Sequence, residues 1–88
     1  MPERVLATNG TIRDLVLDAI GKYGPDCDLN FIDVSQVTDM SWLFNSSPFT
    51  GNISGWNVGN VANMYAMFEG CPLEREHRLP QWYKDRMK

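Results

Sequence analysis

DLNFIDVSQVTDMSWLFNSSPF, residues Asp28–Phe49, is followed after Thr50 and Gly51 by NISGWNVGNVANMYAMFEGCPL, residues Asn52–Leu73. The two stretches read as one sentence written twice, in a register of 24 residues. Val34 aligns with Val58, Val37 with Val61, Met40 with Met64, Phe44 with Phe68 and Pro48 with Pro72. Leu29/Ile53, Ile32/Trp56, Leu43/Met67 and Phe49/Leu73 keep apolar character. Asp28/Asn52, Asp33/Asn57, Gln36/Asn60 and Asp39/Asn63 keep short polar or amide chemistry. A fixed period of this size is the signature of a repeat architecture, in which neighbours bury each other's apolar faces.

Within each copy the apolar spacing changes once. Ile32 and Val34 flank Asp33, and Trp56 and Val58 flank Asn57, as in a short strand. Val37, Met40, Leu43 and Phe44 then recur at helical spacing, as do Val61, Met64, Met67 and Phe68. Ser35-Gln36 and Gly59-Asn60 suit the turn between them, and Ser46-Ser47-Pro48 and Gly70-Cys71-Pro72 the return loop. The fold class expected is α/β: a short leucine-rich-repeat-like solenoid of two β-turn-helix coils, residues 28–49 and 52–73.

The pattern W-N-V-x-N-V-x-N-M-x-x-M-F (Trp56–Phe68) resembles the repeat of the BspA-like leucine-rich repeat surface proteins. That repeat is also known as a domain of unknown function from Mycoplasma lipoproteins. The first copy, I-D-V-S-Q-V-T-D-M-S-W-L-F (Ile32–Phe44), matches it too. The lead-in Gly24–Asn30 and the exit Cys71–Lys84 are similar to the family's flanks. The resemblance implies a right-handed repeat fold, with cell-surface adhesion suspected for larger members. It implies no catalytic residues.

A chain of 88 residues allows one domain, and 43% hydrophobic content is enough to form a core. Net charge is −3, unevenly spread. No Lys or Arg lies between Lys22 and Arg75, a stretch holding Asp26, Asp28, Asp33, Asp39, Glu69 and Glu74. Arg75, Arg78, Lys84, Arg86 and Lys88 then crowd the tail. An acidic body with a basic end disfavours direct binding of nucleic acid through the body. The start lacks a secretory pattern and no segment has the length of a membrane span. Read as complete, the chain is expected in the cytoplasm; read as a fragment, it belongs at the surface or outside.

Residues 1–10 read as a leader. Thr11 and Asp14 form a capping-box pattern, and Ile12, Leu15, Val16, Ala19 and Ile20 give residues 11–23 the stripe of a capping helix. Gly24-Pro25 stops it. Pro80 suits the first turn of a C-terminal cap over residues 80–87, with Trp82 as the plug that closes the repeat.

Sharper constellations fail. Asp26-x-Asp28-x-Asn30 opens like a calcium loop, but Phe31 stands where the turn glycine belongs and Val37 where the bidentate Glu belongs. His77 has no partner at catalytic spacing and is expected to be solvated. Cys27 and Cys71 match no metal motif; two buried thiols are expected, a disulfide being the alternative. Asn9-Gly10-Thr11, Asn45-Ser46-Ser47 and Asn52-Ile53-Ser54 match the glycosylation triplet, which has meaning only in a secretory pathway. No enzyme activity, cofactor or metal is expected.

The copies disagree at informative places. Phe31 aligns with Gly55, Ser41 with Tyr65 and Trp42 with Ala66. Core columns repeat, so the unmatched aromatics Phe31, Trp42 and Tyr65 are candidates for an exposed partner-binding patch, with Asp33 and Asp39 as an acidic rim. The alternative is that these rings fill gaps beneath the caps. The function expected is a small non-catalytic protein-interaction module whose acidic repeat face docks on a basic protein. Alternatives are an acidic mimic of nucleic acid that inhibits a nucleic-acid-binding protein, a homo-oligomer built through unpaired edges, and a relative of a bacterial surface adhesin.

Overall fold

A computed structural model describes residues 4–76 and 78–86. His77, expected to be solvated, lies outside the described residues. The regular elements are β1 (Val5–Leu6), α1 (Ile12–Tyr23), β2 (Ile32–Asp33), α2 (Pro72–Arg75) and α3 (Gln81–Arg86). α1 forms because Ile12, Val16 and Ala19 fall on one face and are buried there, with Leu15 and Ile20 packed beside them. Gly24, at φ 97°, ends it by donating its N–H to the Ile20 carbonyl. The expected capping box does not form. Thr11 makes no side-chain cap bond, and its hydroxyl instead accepts the Thr8 N–H at 2.9 Å.

The stretch read as a leader contains β1. It runs parallel to β2 with Val5 opposite Ile32 and Leu6 opposite Asp33. Val5 donates to the Phe31 carbonyl at 3.0 Å and Ala7 to that of Asp33 at 2.9 Å, which buries Ala7 completely. The leader alternates no apolar residues over a useful length, so this pairing left no periodic signal in the sequence.

The solenoid of two β-turn-helix coils is overturned. Among the described residues no helix lies in either copy before Pro72, where α2 begins, and the second copy contains no strand. β2 pairs with β1 and not with Trp56–Val58. The molecule is a small, mostly irregular globule with three short-to-medium helices and a two-stranded parallel sheet among its described residues.

Hydrogen-bonded turns stand where helices were expected. Leu43 donates to Met40 (3.2 Å), Asn45 to Trp42 (3.1 Å) and Ser47 to Phe44 (3.1 Å). The second copy repeats the series: Met67 to Met64 (3.2 Å), Glu69 to Ala66 (3.3 Å) and Cys71 to Phe68 (3.0 Å). The intervening N–H groups of Met40, Trp42, Phe44 and Ser46 cross to the carbonyls of Asn63, Tyr65, Met67 and Glu69 at 2.8, 2.9, 2.8 and 2.8 Å. Every second residue thus serves the neighbouring copy, and the residues between close turns. The backbone of the first copy is satisfied here without helix or regular sheet.

This arrangement needs left-handed residues, and they recur in register: Trp42 (φ 61°) with Ala66 (53°), and Ser46 (55°) with Gly70 (78°). The turn series brings a side chain back to the same face about every four residues, close to the helical repeat. Met40 and Phe44, or Met64 and Phe68, therefore point inward in either geometry. Apolar spacing could not separate the two.

Side chains complete the turns. Asp28, Asp33 and Asp39 each accept, through Oδ1, the N–H two residues on, at 2.8, 3.0 and 2.9 Å. Their counterparts Asn52, Asn57 and Asn63 do the same at 2.9, 3.1 and 3.0 Å. The short polar columns of the sequence are turn-formers that hydrogen-bond their own backbone. Gly51 is required by contact: a Cβ there would lie 1.8 Å from the Cys27 carbonyl oxygen.

The core lies between the copies. Phe44 is fully buried and stacked on Phe49 (4.9 Å between centroids), Phe68 (5.4 Å) and Trp56 (6.0 Å). Met40 is buried and Met64 half-buried against the same cluster. The tail closes the far side. Trp56 donates its indole N–H to the Leu29 carbonyl at 2.9 Å, and Trp82 donates to that of Ile53 at 2.8 Å. Leu29 and Ile53 are equivalent positions, so Trp82 repeats for the second copy what Trp56 does for the first, and it stacks on Trp56 at 6.4 Å.

Candidate functional site

The crossing hydrogen bond from Trp42 N–H to the Tyr65 carbonyl runs between residues that are not sequence equivalents. It sets the side chains of Trp42 and Tyr65 next to each other although neither matches an aromatic in the other copy. Their rings meet edge to face at 5.5 Å and 71°. Both face solvent, Trp42 at 43% and Tyr65 at 69% exposure. Trp42 holds the left-handed conformation that its turn requires, which costs a non-glycine residue about 1–2 kcal/mol. An exposed ring recovers little of that through burial.

The other expected site residues lie apart. Phe31 is half-buried and meets Tyr23 edge-on at 6.5 Å, in a shallow hollow with Val5, Leu15 and Lys22. It belongs to the packing of α1 and β1, the gap-filling reading. Asp33 serves its own turn and receives the Arg4 Nε at 3.5 Å. The Ser35 hydroxyl and N–H, with Arg4 adding less, hold its carboxyl below the usual range. Asp39 accepts both the hydroxyl (2.7 Å) and the N–H (2.9 Å) of Ser41, which lower its pKa in the same way. It lies with Asn9, Ile12 and Arg13 beside the first turn of α1. Of the expected patch, the structure brings together Trp42 and Tyr65.

A neighbouring feature was not expected. Met64, Tyr65, Ala66 and Ala62 form one wall of a hollow of about 450 Å³ whose other wall is Tyr83 and Arg86 of α3. Burial, and Glu74 to a lesser degree, raise the Tyr83 phenol's pKa. The Arg86 guanidinium donates to the carbonyls of Val58 (2.9 Å) and Val61, tying α3 to the second copy. The basic tail gave no sign of this, because its charges resemble any solvated helix face.

Cys71 is buried and its thiol lies 3.2 Å from the Phe49 carbonyl; burial raises its pKa. Cys27 is half-buried, also with a raised pKa, again chiefly through burial. Both are free thiols. Among the described residues no cluster of His, Cys, Asp and Glu is placed to hold a metal ion, and no helix is long and apolar enough to cross a membrane.

The family model described as Mycoplasma protein of unknown function, DUF285, matches residues 21–85. The chain belongs to that family. The matched region takes in both copies, α2 and nearly all of α3, and leaves out β1 and most of α1. Comparison with curated proteins gives no match, and comparison with solved structures gives none.

Proposed function

We propose that this protein is a small non-catalytic protein-binding module whose contact centre is the Trp42–Tyr65 pair. The observation that carries the reading is an edge-to-face aromatic pair left in solvent, one member of it on a left-handed residue. The left-handed backbone at Trp42 serves its turn, as that of Ala66 does in the second copy, but the turn does not need an indole there, and an exposed one adds little to the core. Trp and Tyr supply large contact area at low conformational cost and dominate protein-interface energetics. The likeness of Trp56–Phe68 to the BspA-like repeat also supports binding over catalysis.

Acidity is a secondary element of the reading. Asp33 is offset by Arg4, while among the described residues Asp39 has no ion pair, so a basic partner would find Asp39 before Asp33. The test uses the double variant Trp42→Ala, Tyr65→Ala as bait in a pull-down from source lysate. It should lose a partner that the parent captures, with an unchanged circular dichroism melt. Undiminished capture by the double variant defeats the reading.

A further inference from the structure

The first copy shows how its own outward N–H groups are met: those of Met40, Trp42, Phe44 and Ser46 each receive a carbonyl of the second copy. The equivalent groups of the second copy are those of Met64, Ala66, Phe68 and Gly70. Among the described residues none of these four has an acceptor. The tail completes only part of a next layer. Trp82 repeats the role of the Trp56 indole and Arg86 satisfies the carbonyls of Val58 and Val61, while Tyr83 covers Phe68 at 4.8 Å. The edge along Met64 and Ala66 stays open, and it forms the wall of the hollow beside Tyr65 and Arg86.

We propose that this edge is a docking edge for an extended, non-basic peptide segment of a partner protein. The segment's main-chain carbonyls would meet the N–H groups of Met64 and Ala66, as the second copy's carbonyls meet those of the first. The inference rests on the protein-binding reading and names its mode, addition of a strand-like segment to an open edge. Charge selects the occupant: residues 57–68 hold no charged side chain, and the nearest charge lining the hollow is the Arg86 guanidinium. A carboxylate on the incoming segment is favoured there and a lysine is not. A second copy fits poorly. Two N–H rows cannot pair with each other, so a two-fold dimer through this edge has no hydrogen bonds to make. A head-to-tail copy would have to offer the carbonyl edge of Asp39–Leu43, which Asn9 and the first turn of α1 border.

The probe is a synthetic peptide of residues 60–72 with Cys71→Ser, the segment that fills this role inside the molecule. Titrated into the 15N-labelled full chain up to about 1 mM, it should shift the amides of Met64 and Ala66 and slow their hydrogen exchange. Chemical synthesis with joints at Cys27 and Cys71 allows the Ala66 amide to be replaced by an ester, which deletes the N–H and keeps the side chain. That change should weaken the peptide by about three- to tenfold, the worth of one hydrogen bond. Shifts confined to Asp39–Asn45, equal affinity for the ester chain, or concentration-dependent shifts of the edge without peptide each overturn the proposal. A silent peptide with capture still dependent on Trp42 and Tyr65 overturns the edge and leaves the module reading standing. A binding peptide with capture independent of that pair supports the edge and removes the pair as contact centre.

Discussion

Ala66→Gly should stabilise this protein, the reverse of what a helix would show. Ala66 sits at φ 53°, where an L side chain costs about 1–2 kcal/mol and glycine costs nothing of the kind. Glycine gives back about 0.4–1 kcal/mol through the greater freedom of the unfolded chain. The balance runs from about 0 to 1.6 kcal/mol in the variant's favour, centred near about 0.8 kcal/mol, or a rise of about 3–6 °C in Tm for a domain of this size. Had Val61–Phe68 been helical, the same change would cost about 1 kcal/mol. Ala62→Gly is the matched control: Ala62 is exposed and is not among the residues at positive φ, so it should lose about 0.4–1 kcal/mol. Urea unfolding of the three proteins, with m held equal, reads the differences directly. Destabilisation by Ala66→Gly equal to that of Ala62→Gly would refute the left-handed turn, and with it the turn series.

Other outcomes follow from packing and titration. Phe44→Ala should cost about 3–5 kcal/mol, against about 4–13 kcal/mol expected for the whole domain, so the urea midpoint should fall by about a quarter or more, and to zero if the parent lies at the low end. Asp39 has its pKa lowered by Ser41, so its contribution is present above about 3.8 and is lost as pH falls through the folded value. Asp39→Asn should keep the turn, as Asn63 does in the second copy, and flatten acid unfolding below that pH. Cys71 should resist a thiol reagent until the chain unfolds, with Cys27 reacting first; equal rates in native buffer would contradict its burial.

The doubling was legible because buried columns repeat: Met40, Phe44, Val37 and Val61 are inside, and equivalent turns carry equivalent Asx residues. The conformation within each copy was not legible from apolar spacing. A turn series of near four-residue period imitates an amphipathic helix on that axis. The signal that separates them lies in the polar residues. Asp39, Ser46, Asn63 and Gly70 all favour turns or left-handed backbone over helix interior, and the second copy adds Gly59 just before. Weighted above the apolar stripe, they argue against both helices.

The contact pair was half legible. Trp42 and Tyr65 broke the repeat, which marked them as surface residues, but their contact depends on the register 42 to 65, which only backbone hydrogen bonding sets. Phe31 broke the repeat for another reason, the end of α1 packing over it at Tyr23. The hollow at Tyr83 and Arg86 had no sequence signal, since it exists only once the tail folds back on the second copy.

Scalar couplings across hydrogen bonds, measured by NMR on a 15N,13C-labelled chain, address the pairing of the copies most directly. The couplings should link the amides of Met40, Trp42, Phe44 and Ser46 to the carbonyls of Asn63, Tyr65, Met67 and Glu69. Couplings from Leu43 and Phe44 to carbonyls four residues earlier in the same copy, with none reaching the other copy, would contradict it.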